Sequence, residues 1–398
     1  MLRRFAARLV LAAILGGGLL PTAGAAAQSA PHAAIASVAP AANGEALDGA
    51  PGADSDEGDA SDAAPGSSAQ EAPTAEPLPP PIDPLAGLTI RSSPDRTADL
   101  VVIVSVDGLR ADAVLPSHRA FAMLRRSGVH ADDAHTILRS TTLSSHASML
   151  SGVDADVHGL TWNAWRPQRG RIRFPTVLRV AARAALPAAM FVGKNKLRHL
   201  MGEAEPGVAF NVNGRSCVDV VAHATPFLRD TPAGLAMLHF AGPDGAGHRR
   251  GWMSPTYRAA VTAADACLAS VVRVLRERAN GTERVLLIVT ADHGGHGRSH
   301  GSALEVDRHI PWLAWGGAAA RALRIERPVS TMDTAATVLA ALGLPPIVGM
   351  IGRPVTEALR PREALVAGAG AVRPLAGTSA RRARPPGRLA RAAARSDQ

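Results

Sequence analysis

Cysteine occurs only twice in the 398 residues, at Cys217 and Cys267, and tyrosine only once. Two cysteines exclude a cysteine-rich zinc module. In an exported chain they have the option of one disulfide, but the sequence cannot show whether they meet. With one Tyr and seven Phe there is little to stack on nucleobases, and no nucleic-acid fingerprint is found. Lys and Arg are missing between Arg8 and Arg91, and no His follows His309. The first of these gaps bears on organisation, the second on the active chemistry.

The leader MLRRFAARLVLAAILGGGLLPTAGAAAQ has Arg3, Arg4 and Arg8 before a short apolar segment and then small residues ahead of Gln28. It reads as a secretory signal over residues 1–27, and the Gly16–Gly18 break argues against a retained membrane anchor. Residues 28–95 are Ala, Pro, Ser, Asp and Glu with few large apolar side chains, which predicts an acidic disordered linker. The far end has the opposite sign: seven Arg fall within residues 373–395, and 361–398 is expected to be a solvated tail. The net charge of +9 thus comes partly from a tail. Membrane association would run only through an uncleaved signal or this basic tail. Oligomeric state is not legible.

Residues 96–360 are expected to form one folded domain. Apolar, β-branched runs (ADLVVIVSVDG, AAMFVG, GLAMLHFAGPDG, RVLLIVTADHG, IPWLAWGG) alternate with helical patterns such as SPTYRAAVTAADACLASVVRVLRERAN. That alternation predicts an α/β fold with a mostly parallel central sheet and helices on both faces. A late helix is read in STMDTAATVLAALGLPPI, capped by Asp333 or Thr331 and stopped by Gly343 and Pro345.

Asp107, Asp244 and Asp292 each follow the end of an apolar run. In open α/β sheets ligands sit at the carboxyl ends of the strands, so the three acids should converge. His248 stands four residues after Asp244, and His293 is adjacent to Asp292. Mixed carboxylate and imidazole donors suit zinc, then manganese, better than calcium. Their number suggests two divalent ions, and two ions about 4 Å apart stabilise both oxygens of an in-line displacement. A nucleophile is sought in RSTTLSSHASMLSG, but spacing alone does not choose among Ser140, Thr141, Thr142, Ser144 and Ser145.

The stretch TLSSHASMLSGVDADVHGLTWN, with Thr142, His146, Gly152, His158-Gly159 and Asn163 in order, resembles the nucleophile segment of the alkaline phosphatase superfamily, in its type I phosphodiesterase and nucleotide pyrophosphatase branch. The likeness covers most of residues 98–358. It implies that Asp107, Asp292, His293 and Thr142 hold one metal, and that Asp244, His248 and one more His hold the other. Relatives in this branch often take that last His from far downstream, where this chain has none. The candidates are therefore His300, favoured for its flexible glycine loop, then His309, with His296 too close to reach. The leader makes the expected location periplasmic or secreted, and the resemblance implies a hydrolase of a small phosphate ester, a phosphodiesterase acting through a Thr142 phospho-enzyme. Asn163 and the backbone N–H beside Thr142 would then serve a non-bridging oxygen.

Lys194 and Lys196 follow the run AAMFVG and are candidates for the crevice. Lys194 in the site would favour monoesters, whereas Trp162 and Trp165 flanking it would favour a diester. Phosphate monoesterase is thus the second reading. A sulfatase lacks its Cys/Ser-x-Pro-x-Arg context near Thr142, phosphomutases are cytosolic, and a silent binding protein would have lost a ligand.

Overall fold

A computed structural model describes residues 84–201, 208–214 and 216–361 of the chain. The signal expected over 1–27, the linker up to residue 83 and the tail from 362 lie outside the described residues. The expected linker boundary at residue 95 is corrected: Leu85 and Ile90 are buried in the core, and Ser93 N–H donates to Gly343 O at 2.8 Å. These two apolar residues give the segment something to bury, which the polar residues around them obscure in the sequence.

Among the described residues ten strands are formed: β1 (Leu100–Val106), β2 (Val129–Ala131), β3 (Ala134–His135), β4 (Ala188–Val192), β5 (Val208–Val212), β6 (Gly234–Phe240), β7 (Val285–Thr290), β8 (Trp312–Trp315), β9 (Leu323–Ile325) and β10 (Val329–Ser330). The helices are α1 (Arg119–Ser127), α2 (Thr142–Ser151), α3 (Ala155–His158), α4 (Val177–Arg183), α5 (Cys217–Asp230), α6 (Gly242–Arg250), α7 (Pro255–Arg276), α8 (Glu305–Arg308) and α9 (Asp333–Ala341).

Eight strands make one sheet in the order β5-β4-β6-β1-β7-β8-β2-β9, and β10 pairs with β3 in a small second sheet. β5, β4, β6, β1 and β7 are mutually parallel, and β8 runs against both β7 and β2. Every residue of β1, β4, β6 and β7 is buried. Such continuously apolar strands need cover on both faces. One helical layer supplies α1, α5, α6 and α7, and another supplies α2, α4 and α9.

The long helix α7 shows how the sequence builds this cover. Ser254 caps it by accepting from Tyr257 N–H, Pro255 occupies its first turn, and Tyr257, Val261, Ala264, Leu268, Val271 and Leu275 form the buried stripe. Each fully buried aliphatic side chain contributes about 1.5–3 kcal/mol. The Cys217–Cys267 disulfide ties α5 to α7. The late helix α9 forms, but neither Asp333 nor Thr331 caps it: Met332 holds the N-cap position without a side-chain bond. Asp333 instead accepts from the N–H groups of Ser330 and Arg353 and from Arg327, tying three segments together. Among the described residues no helix is long and apolar enough to cross a membrane.

Candidate metal centre

Strands β1, β6 and β7 lie side by side in register, Ser105 opposite both His239 and Thr290. Their carboxyl ends therefore deliver Asp107, Asp244 and Asp292 to one place, and all three are buried. Backbone bonds lock the corner: Asp244 N–H donates to Asp107 O at 3.0 Å, and Gly108 N–H donates to Asp292 Oδ1 at 3.1 Å. Gly108 has φ +70°, and a Cβ there would stand 2.9 Å from the Asp244 Cα, so this turn admits only glycine. Trp252 Nε1 and the Tyr257 hydroxyl both donate to Gly108 O at 2.9 Å, bracing the same turn from α7's side.

Two donor groups result. Asp107, Asp292 and His293 form one, and Asp244, His248 and His300 the other, with the ligand atoms of each group within 4.8 Å of one another. Asp244 and His248 reach one point because they stand one turn apart on α6. His300 arrives on the glycine loop after β7, and its ring stacks on that of His293. His309, the second choice, lies elsewhere: its Nε2 donates to Asp132 O at 2.8 Å and its ring stacks on His135. His296 donates from Nδ1 to Asp307 Oδ1 at 2.8 Å.

Three observations test whether these residues suit divalent cations. Oδ1 of Asp107, Oδ1 of Asp244 and Oδ2 of Asp292 are buried and accept no hydrogen bond. His293, His248 and His300 each donate Nδ1–H to a main-chain carbonyl, of Gly294, Arg298 and Ser140 respectively. That bond fixes the tautomer whose Nε2 lone pair a metal needs. The donor chemistry, two carboxylates with one imidazole and one carboxylate with two, is that of zinc sites. The residues fit.

The electrostatics point the same way. Burial opposes its charge, yet Asp292 and Asp107 push His293 up to about 10. Burial together with the charge of Asp107 pushes Asp292 up to about 8. Asp107 itself is held well below the usual carboxylate range, since Lys194, His239 and His293 outweigh its burial. Lys194 Nζ lies 2.7 Å from Asp107 Oδ2 and 2.5 Å from Asp244 Oδ2, so one ammonium spans both groups. Burial disfavours its charge, but the two acids raise its pKa above the ordinary value. Three buried carboxylates in one corner hold cationic charge from every available source.

Thr142 opens α2 beside this corner, buried, with Oγ1 3.4 Å from His293 Nε2 and 3.4 Å from Lys194 Nζ. Asn163 stands next to it, but the hydrogen bonding differs from expectation. The N–H of Leu143, directly after Thr142, donates to Asn163 Oδ1 at 3.1 Å, so that amide orients Asn163 instead of facing outward. Trp162 also departs from its expected place: it is buried, its Nε1 points to His199 at 3.5 Å, and Arg169 covers its ring at 4.4 Å. A side chain enclosed in this way gives no open apolar wall. Trp165 lies against the same His199, with ring centroids 4.5 Å apart.

One supporting residue went unread in the sequence, and others that were read have roles only the fold shows. His239, near the end of β6, takes the Gly193 N–H on Nδ1 and donates from Nε2 to Asp107 Oδ2 at 2.8 Å. A lone polar residue in the run GLAMLHF was the available signal. His146 donates Nδ1–H to Thr142 O at 2.7 Å and accepts from Ser105 on Nε2 at 2.9 Å. Burial and neighbouring His239 push it down to about 3, so it stays neutral and braces the first turn of α2. Both lysines of the chain, Lys194 and Lys196, stand at this site among 43 basic residues, a rarity visible in composition.

The profile of the type I phosphodiesterase / nucleotide pyrophosphatase family matches residues 101–181 and 211–315. Those intervals contain Asp107, Thr142, Asn163, Asp244, His248, Asp292, His293 and His300, whereas Lys194 and Lys196 fall between them. Human ectonucleotide pyrophosphatase/phosphodiesterase family member 5 is 24% identical over 241 residues, covering 56% of this chain. The match takes in 50% of that relative, so the chain spans about half its length. The mouse ectonucleotide pyrophosphatase/phosphodiesterase 5, solved as an inactive variant with AMP, superposes with a TM-score of 0.57 at 16% identity, over 65% of this chain and 99% of that one. The alkaline phosphatase PafA superposes with a TM-score of 0.56 at 13% identity, over 66% and 99%. At these identities the structural likeness is one of fold. Together with the family profile, it means that this chain belongs to the alkaline phosphatase superfamily, in the type I phosphodiesterase / nucleotide pyrophosphatase branch.

Proposed function

We propose that the chain is an exported, two-metal hydrolase of phosphate esters, a phosphodiesterase acting through Thr142. The observation that carries this reading is that the Thr142 hydroxyl lies against His293 of one donor group and against Lys194, whose ammonium spans both groups. Asp107, Asp292 and His293, with Thr142, would hold one divalent ion, and Asp244, His248 and His300 the other, zinc being the first choice. Such ions supply Lewis acidity, easing loss of the proton from a bound hydroxyl and neutralising phosphate oxygens.

The protein's own part follows from the geometry. Thr142 Oγ1, its proton lost, forms a bond to phosphorus as one ester alkoxide leaves, giving a phosphothreonine that still carries the other ester group; water later cleaves the Oγ1–phosphorus bond, releasing the phosphate monoester and returning the hydroxyl. Residue placement does the positioning: His146 fixes the carbonyl of Thr142, and the helix start presents Oγ1 to His293 and Lys194. Asn163 Nδ2 and the Lys194 ammonium are the donors for non-bridging oxygens.

A second reading, hydrolysis of monoesters, is favoured by Lys194, because a dianionic phosphate calls for more positive charge than a diester. Sulfatase chemistry is disfavoured further because both cysteines are spent in the disulfide. Export is supported by the same bond, which persists in oxidising compartments, together with the signal-like leader.

The test is turnover of bis-p-nitrophenyl phosphate and p-nitrophenyl phosphate by the zinc-loaded protein, its Thr142→Ala variant and its Lys194→Ala variant. Diester turnover lost with Thr142→Ala and largely kept with Lys194→Ala supports the phosphodiesterase. Dominant monoester turnover that collapses with Lys194→Ala supports the second reading. Full activity of Thr142→Ala overturns both.

A further inference from the structure

Lysine is nearly absent from this chain. Of 43 lysine and arginine residues only Lys194 and Lys196 are lysines, so arginine is the ordinary choice here. Lys196 lies in the 3₁₀ turn Asn195–Leu200, which packs on α2, and its side chain is buried. Its Nζ donates to the main-chain oxygen of Asn163 at 3.0 Å and to Oδ1 of the same residue at 3.1 Å. Oδ1 also takes the Leu143 N–H at 3.1 Å.

We infer that Lys196 is a positioning residue, which holds and polarises the Asn163 amide so that its Nδ2 donates to the phosphoryl group beside Thr142. Two donors on one side of the amide settle its orientation, since a flipped Asn163 would set its NH₂ against both. The grip on both oxygens of one residue fixes main chain and side chain together. An ammonium on the amide oxygen withdraws electrons through the C–N bond and makes the Nδ2 hydrogens better donors. Lysine suits this place because a compact ammonium reaches two oxygens of one residue, where a planar guanidinium imposes its own fork.

The inference rests on the proposed function, in that Asn163 must serve the reacting phosphate. Its test is a double-mutant cycle on zinc-loaded protein with Lys196→Met, Asn163→Ala and the pair, with Lys196→Arg and Thr142→Ala beside them. Readouts are kcat and KM for bis-p-nitrophenyl phosphate, the inhibition constant of vanadate, and the melting temperature.

Removing one oxyanion donor typically costs about 100- to 1000-fold in kcat. Asn163→Ala should fall in that range, and Lys196→Met should lose roughly 10- to 100-fold, mainly in kcat, with weaker vanadate inhibition. On the Asn163→Ala background, Lys196→Met should cost less than about 2-fold more, since the residue it acts through is gone. Lys196→Arg should recover only part of the loss, and it carries the same cycle if Lys196→Met does not fold.

An equal loss from Lys196→Met on both backgrounds overturns the inference, because Lys196 then acts on substrate by itself. A silent Lys196→Met beside costly Thr142→Ala and Asn163→Ala overturns the inference alone. A fully active Thr142→Ala overturns it together with the reading it rests on.

Discussion

His293 and His300 stack with ring centroids 3.7 Å apart and planes 14° from parallel. Each imidazole belongs to a different donor group, so the two candidate metal sites share a wall. His300→Ala should therefore leave about one zinc per chain in place of two and weaken the hold on the other. The loss in kcat/KM should exceed the roughly 10- to 100-fold typical of outer partners of a metal. His309→Ala should keep both ions, because His309 is spent on Asp132 O and on stacking with His135. Metal analysis by mass spectrometry decides it: two ions retained in His300→Ala would remove His300 from the ligand set.

Lys194 pairs with one acid from each group, Asp107 and Asp244. Breaking a buried pair by removing one partner costs about 3–5 kcal/mol, because the other charge is left unmatched. Divalent cations would offset that cost. Lys194→Met should accordingly melt roughly 5–15 °C below wild type in chelator, with the gap much reduced in zinc. Thermal unfolding under both conditions tests this, and an equal gap in the two would mean that Lys194 does not balance the site's charge.

The strand ends were legible in the sequence because a buried parallel strand is a continuous apolar run, and the acids after β1, β6 and β7 stand out against it. Short strands such as β2 and β9 carry three residues each, too few for any period to show. The histidine loop was readable in part: three histidines lie near Asp292, but only the folded chain separates His300 from His296. His239 was hidden because one polar residue within an apolar strand usually marks a satisfied core group, which in a sense it is, its partner being Asp107. Trp162 misled because a sequence shows that an aromatic lies near a motif, while burial of its face depends on Arg169 and His199.

The Cys217–Cys267 bond closes a loop with a sequence separation of 50 between α5 and α7. Chain-entropy reasoning gives a loop of that size roughly 4 kcal/mol of stabilisation, with measured disulfides commonly at about 2–4 kcal/mol. Cys217→Ser with Cys267→Ser should lower the urea midpoint accordingly while the metal content stays at the wild-type value, since neither cysteine belongs to a donor group. Loss of metal in the double variant would show that this tie also sets the geometry of α6, which packs on α7.

Acid stability offers a test away from the acids of the site. His158 is buried, with Nε2 3.1 Å from Ser148 Oγ and with Nδ1 accepting the Leu160 N–H at 3.1 Å. Burial pushes it down to about 4, so the folded chain holds it neutral where the unfolded chain protonates it near pH 6.5. The unfolded state therefore binds more protons between about pH 6.5 and pH 4, and stability falls as pH drops through that window. This one group is worth up to about 2–3 kcal/mol by pH 4.5. His158→Gln removes the titrating ring, so its urea midpoint should fall less than that of wild type between pH 7 and pH 4.5, whatever its starting stability. Parallel curves for the two proteins across that range would show that His158 is protonated equally in both states, and that the acid sensitivity arises elsewhere.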